Sequence, residues 1–245
     1  MLYPTSQSPA LDRAVFENPP TEYRGAPFWS WNCDMTEDML AKQIDILKEM
    51  GLGGFHIHSR SGMAVPYLGD RFMGLVKACV EKARSEGMRA YLYDEDRWPS
   101  GAAGGLVTKD HQYRARVLRF TARKRDDLQL LGAYAVSLDK NGCLSSYRRI
   151  DGESARPDEL IRYAYLEITP PDSWYNNEAY LDTLNPAAVK RFIDVTHERY
   201  AQCVGGDFGG VVPSIFTDEP QFSRKHMLGF ARSGDDAVLP WTNDF

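Results

Sequence analysis

Thr217-Asp218-Glu219-Pro220 follows the apolar run Val211-Val212-Pro213-Ser214-Ile215-Phe216, so two carboxylates and a proline stand where a buried strand ends. In barrels of alternating strands and helices, chemistry is done at the C-terminal tips of the strands. Cleavage of a glycosidic bond needs one carboxylic acid to protonate the leaving oxygen and a second carboxylate to activate water or attack the sugar. Glu219, fixed by the following proline and shaded by aromatic residues, suits the acid, because partial burial raises a carboxyl pKa. Asp218 is the adjoining catalytic candidate. The same tetrapeptide also reads as a strand end whose acids cap the next helix.

A second acidic tip occurs earlier, where Met88–Tyr93 runs into Asp94-Glu95-Asp96-Arg97-Trp98. Three clustered acids repel one another unless an arginine or a cation offsets them. Arg97 offers one route, and a hard cation such as Ca2+ offers another. Trp98 and the run Gly101-Ala102-Ala103-Gly104-Gly105 point to a shaped pocket; a solvated, salt-bridged loop is the alternative. His56 and His58 alternate along another apolar run, so both imidazoles can face one side of a strand, with Arg60 just beyond. Such a pair could hold a catalytic metal with carboxylate partners such as Asp218, or could hydrogen-bond a substrate. Trp31 and Asn32 form a possible stacking wall with a polar handle. Trp29 reads equally as core, and Asp182 lies near the same rim or organises a turn.

Short apolar strands and amphipathic helices must position these groups. Pro27–Asn32 reads as a first strand. Asp34 with Glu37 has capping-box spacing, and Met39, Leu40, Gln43, Ile44 and Leu47 follow at helical spacing. Gly54–His58 is a second strand, Phe72 to Ala83 a second helix closed by Gly87, and Met88–Tyr93 a third strand. Strands that are apolar throughout, alternating with helices, indicate a parallel sheet covered by helices. Between about Tyr113 and Leu184 the pattern becomes alternating, with a hairpin turn at Asp139-Lys140-Asn141-Gly142. Asn185-Pro186 starts another helix, and Val211–Phe216 is a fourth strand. The expected architecture is α/β: the N-terminal half of a (β/α) TIM-type barrel with an antiparallel insertion after strand 3. Residues 1–112 hold three β/α units, 113–184 the β-rich insertion and 185–245 the fourth unit. Only about 25 residues follow Pro220. A half-barrel leaves open sheet edges, so the expectation is a fragment of a longer protein with further C-terminal domains.

Composition narrows the partners. Hydrophobic residues make up 43% and charged residues 26% of the 245, the balance of a globular protein. The formal net charge of -5 supplies no basic footprint for nucleic acid. The four cysteines form no CxxC pair, which argues against structural zinc, and Cys79 and Cys203 read as buried thiols. No run has transmembrane length and Met1–Pro20 shows no apolar signal core, so neither membrane nor secretion is expected and a cytoplasmic location is.

Four stretches carry a resemblance: Arg24–Asn32, Gly53–Arg60, Tyr93–Gly101 and Thr217–Pro220. Together they resemble bacterial glycoside-hydrolase-like proteins similar to the α-L-rhamnosidases of glycoside hydrolase family 106. The resemblance covers roughly residues 24–105 and 180–220. It implies a catalytic barrel with inserted β-modules, hydrolysis of glycosidic bonds, and a calcium ion near the active site. In many sugar-cleaving barrels the acid/base glutamate ends strand four in an Asn-Glu-Pro context, which Glu219 in Asp-Glu-Pro resembles. The expectation is thus a glycosidase acting on a carbohydrate substrate. Glu219 would be general acid, and Trp31, Asn32, His56, His58, Arg60, Asp94, Glu95, Asp96, Arg97, Trp98 and Asp182 would line the sugar site. The second carboxylate is expected downstream of this chain. Two rivals are a metal-dependent hydrolase built on His56, His58 and Asp218, and a non-catalytic carbohydrate-binding protein.

Overall fold

The structure, a computed structural model, describes residues 9–150, 152–221 and 236–243. In chain order its elements are α1 (Arg13–Glu17), β1 (Phe28–Trp31), α2 (Glu37–Glu49), β2 (Gly54–Ser59), α3 (Asp70–Glu86) and β3 (Arg89–Tyr93). Then come β4 (Arg116–Thr121), β5 (Gln129–Leu138), β6 (Leu144–Arg149), β7 (Leu160–Ile168), α4 (Pro186–Val195), α5 (His197–Val204), β8 (Ile215–Phe216) and β9 (Ala237–Trp241). The chain divides into two compact units, Met1–Leu106 with Arg191–Pro220, and Val107–Lys190 with Gln221–Phe245.

The first unit is built on a four-stranded parallel sheet in the order β1-β2-β3-β8. Successive side chains on a strand point to opposite faces. Trp29, Trp31, Phe55, Ile57, Ala90 and Leu92 therefore share one face, and they pack in one apolar core with Leu40, Ile44, Phe72, Val76 and Tyr200 from α2, α3 and α5. Phe28, His56, His58, Tyr93 and Phe216 take the other face, where their rings touch. Parallel strands put all their carboxyl ends on one edge of the sheet, and that edge carries Asn32, Arg60, Asp94 and Thr217.

Several local expectations change. The α2 N-cap is Thr36, whose side chain accepts the Met39 amide proton, and not Asp34, which pairs with Arg71. A cap must lie immediately before the first helical residue, and Asp34 is two positions too early. The helix expected from Pro186 onward breaks at Thr196. There the hydroxyl donates to the Phe192 carbonyl at 2.7 Å beside the Thr196 amide at 2.9 Å, the threonine back-bonding that bends helices. Of the apolar residues along this stretch, Val189 and Ile193 are exposed, whereas Phe192, Tyr200 and Val204 are buried. The fourth strand shrinks to Ile215–Phe216, because Pro213 has no amide proton to give a ladder. Asn185 does cap α4, accepting the Ala187 amide proton at 3.0 Å.

Gly53 shows how closely the β2 entry is packed. A Cβ there would lie 2.1 Å from the Thr21 carbonyl oxygen and 2.8 Å from the Arg24 Cβ. Gly53→Ala must displace backbone, so we expect a loss of about 2 kcal/mol in thermal or urea unfolding. An unchanged midpoint would refute this packing.

The second unit holds a five-stranded antiparallel sheet in the order β6-β5-β7-β4-β9. The β5–β6 turn is closed by Asp139, whose carboxylate accepts the amide protons of Asn141 and Cys143. The tail strand β9, from a region read as part of the fourth β/α unit, pairs with β4. The described residues thus make a mixed α/β chain with one parallel and one antiparallel sheet, and four parallel strands do not show closure into a barrel. Among them, no helix is long and apolar enough to cross a membrane.

Candidate active site at the strand ends of the parallel sheet

The acids after β3 do not share one environment. Glu95 is buried and turned under its own loop. One oxygen accepts the amide protons of Gly101, Ala102 and Ala103 at 2.7–2.8 Å; the other accepts those of Asp96 and Gly104. The small-residue run exists to make this wrap. Gly101, Ala103, Gly104 and Gly105 all have positive φ, which turns successive amides toward a common centre. That run, read from sequence as a pocket wall for ligand, is instead a nest for the chain's own carboxylate. Burial pushes the Glu95 carboxyl up to about 7, against the pull of those amides. Glu95 is corrected from a sugar contact to a structural anchor.

Asp94 is likewise withdrawn from solvent, with 0% exposure. Its Oδ1 accepts the Ser100 hydroxyl at 2.6 Å and its Oδ2 the Thr217 hydroxyl at 2.6 Å, with His197 Nε2 at 3.2 Å. Ser100, Thr217 and His197 were not among the candidate site residues. A serine, a threonine and a histidine are ordinary residues until the fold brings them to one carboxylate from 6, 123 and 103 positions away.

Asp218 is half-buried. It accepts the Tyr93 hydroxyl at 2.8 Å, and its amide donates to Ser100 Oγ at 2.9 Å. Tyr93, the last residue of β3, also went unremarked; desolvation and the Asp218 carboxylate drive its phenol well above the usual range. Glu219 follows with φ 43, a left-handed conformation that costs a residue with a Cβ of order 1–3 kcal/mol. It is exposed, not partly buried as expected, and the Trp98 indole donates to its Oε2 at 3.0 Å. Asp96 pairs with Arg97 at 2.8 Å, both partly open to solvent.

His56 and His58 share the face of the sheet opposite the helices. His56 stacks on Tyr91 with 4.5 Å between centroids, and its Nδ1 lies 3.1 Å from the Ala26 carbonyl. His58 is only 5% exposed, lies against Phe28 and Tyr93, and has no hydrogen-bond partner at either ring nitrogen. Burial lowers both pKa values, that of His58 to about 4 with Arg60 and His56 adding to the effect. A histidine held neutral in the fold but protonated when unfolded favours the folded state above pH 6.5, and that contribution is lost as pH falls toward 4. Between pH 7 and pH 4 the wild type should lose about 1–2 kcal/mol more than His58→Phe, after allowance for screening. Parallel pH dependences in urea unfolding would contradict this.

The remaining candidates separate. Trp31, at 1% exposure, stands edge-on to Trp29 and Phe72 in the helix-facing core, so it offers no stacking face and is corrected to a core residue. Asn32 and Arg60 are exposed at the ends of β1 and β2. Asp182 belongs to the second unit, is buried, and accepts the Leu184 amide proton at 3.1 Å in the turn leading to α4. It organises that turn, and burial raises its carboxyl pKa. Cys79 is buried and Cys203 half-buried.

The calcium implied by the resemblance finds no fit in the acidic tip. The carboxylates of Asp94 and Glu95 are spent on hydroxyl and amide donors, and that of Asp96 faces Arg97. No group of three or more His, Cys, Asp or Glu side chains suited to a metal occurs among the described residues.

No protein-family model matches the chain, and no curated protein sequence matches it. Among solved structures, a rhamnosidase from Novosphingobium sp. PP1Y is similar over 50% of this chain, with 14% identity and a TM-score of 0.37. The matched region spans 15% of that protein's length.

Proposed function

We propose that this chain is part of the catalytic domain of a carbohydrate-active hydrolase of the (β/α) barrel class, similar to α-L-rhamnosidases. Glu219 acts as the general acid that protonates the departing glycosidic oxygen. The observation that carries the reading is the division of labour among the acids on one sheet edge. Asp94 and Glu95 are buried and consumed by internal donors and Asp96 pairs with Arg97, while Glu219 alone of the five stands exposed, beside the Trp98 indole, with Asp218 behind it tied to Tyr93. An exposed carboxylate on a clamped strand tip can meet a glycosidic oxygen, and an indole next to it offers the flat face on which sugars stack.

Asp96, Arg97, Trp98, Arg60 and Asn32 line the same edge in this proposal, while His58, buried against Phe28 and Tyr93, lies beneath it. Hydrolysis needs a second carboxylate, either as base for water or as nucleophile. That partner is expected from a later strand of the parent barrel.

The test is turnover by the full natural chain of a panel of aryl glycosides, α-L-rhamnosides included. Release of the phenol from at least one substrate is expected. Absence of turnover across the panel, with sugar binding retained in calorimetry, would replace the enzyme by a carbohydrate-binding protein.

A further inference from the structure

The geometry points to Asp94 as a positioning residue: its buried carboxylate, acting through Thr217 and Ser100, fixes the segment that presents Glu219. This deepens the glycosidase reading and rests on it for the catalytic role of Glu219.

The contacts form a closed frame between two strand ends. The Asp94 amide donates to the Phe216 carbonyl at 3.2 Å, which is the last ladder bond between β3 and β8. Beyond it the backbones separate, and side chains take over. Thr217 Oγ1 donates to Asp94 Oδ2, and Ser100 Oγ donates to Asp94 Oδ1. That same Ser100 Oγ accepts the Asp218 amide proton at 2.9 Å, while the Ser100 amide donates to the Asp218 carbonyl at 2.9 Å. Residues 217 and 218 are therefore gripped on side chain, amide and carbonyl, immediately before Glu219 adopts φ 43. A residue with a Cβ stays in that region only when its surroundings over-determine it. The grip supplies that determination.

The frame also explains why Asp94 is ionisable yet wholly buried. Two hydroxyl donors and the His197 ring face it, and hydrogen bonds to the charged form of a carboxylate are about twice as strong as neutral ones. A substrate contact would need exposed oxygen; Asp94 has none. Its influence on chemistry passes through the backbone of Asp218. Small displacements of a reacting group, near 1 Å, cost about 100-fold in rate.

The experiment compares Thr217→Val, Thr217→Ser and Asp94→Asn with the wild type in the full chain. Two readouts are taken: residue-level amide exchange by NMR, and kcat and KM on whichever aryl glycoside is cleaved. In Thr217→Val and Asp94→Asn, exchange at the amides of Asp218 and Glu219 should quicken about tenfold, as for loss of one hydrogen bond. Their kcat should fall about 10–100-fold with KM nearly constant. Thr217→Ser keeps the hydroxyl and should restore both. Should Asp94→Asn fail to fold, the Thr217 pair carries the comparison alone. Unchanged exchange in folded variants overturns the proposal, and so does a rise in KM without a fall in kcat, which would make Asp94 a substrate contact. Failure of the glycosidase reading looks different: the wild type would turn over no aryl glycoside, while the exchange readout still reports on the frame.

Discussion

Glu219→Gln should lower kcat on aryl glycosides with poor leaving groups by about 10³-fold, in line with the 10²–10⁴-fold contribution of a positioned proton donor. The amide keeps the shape of the side chain and can still meet the Trp98 indole through its oxygen, so the fold and the substrate affinity should hold. Only the transferable proton is lost. The expected signature is a fall in kcat with little change in KM, the mark of an interaction made in the transition state. Activated substrates, whose leaving phenol needs no proton, should suffer far less. Equal turnover by the variant on every cleaved substrate would remove Glu219 from the mechanism, and equal losses on activated and unactivated substrates would make its role electrostatic.

Glu95→Gln should have the largest effect on stability. The carboxylate accepts five backbone N–H groups and meets no acceptor in its nest. An amide fits with its oxygen toward Gly101, Ala102 and Ala103, but its NH2 then faces the amide protons of Asp96 and Gly104. Donors buried against a donor lose their partners, and each such loss costs about 1–3 kcal/mol. We expect about 2–4 kcal/mol of destabilisation and a melting temperature lower by about 5–10 °C by circular dichroism. Activity should fall through the same change, since the nest holds the loop that carries Trp98 and Ser100. A variant that melts with the wild type would mean that the loop keeps its shape without the carboxylate.

These two glutamates measure how far the site was legible. Glu95 and Glu219 are both glutamates following an aspartate at the end of an apolar strand, and no local signal says which of the two is buried. The fold buries one and exposes the other. The glycine- and alanine-rich stretch from Gly101 to Gly105 was visible as unusual, but its positive φ values and its convergence on Glu95 require the chain to be folded around that carboxylate. Trp31 failed as a sugar platform for a related reason. Alternation along β1 puts Trp31 with Trp29 on one face and Phe28 on the other, yet which face meets the helices is decided by how α2 and α3 pack.

The order of strands and helices in the first hundred residues was written in local signals. Apolar periodicity and Gly87 with its left-handed φ of 70 act over a few residues and need no tertiary partner. So too were the carboxylates at strand ends, because a strand stops where polar residues and proline begin. The sequence by itself therefore determined that acids crowd one edge of a parallel sheet. Only the tertiary structure decided which acids are spent and which remain. Thr217 and His197 reach Asp94 across 123 and 103 positions, and Trp98 reaches Glu219 across 121. A side chain's burial and its partners depend on neighbours in space, and no spacing along the chain encodes them.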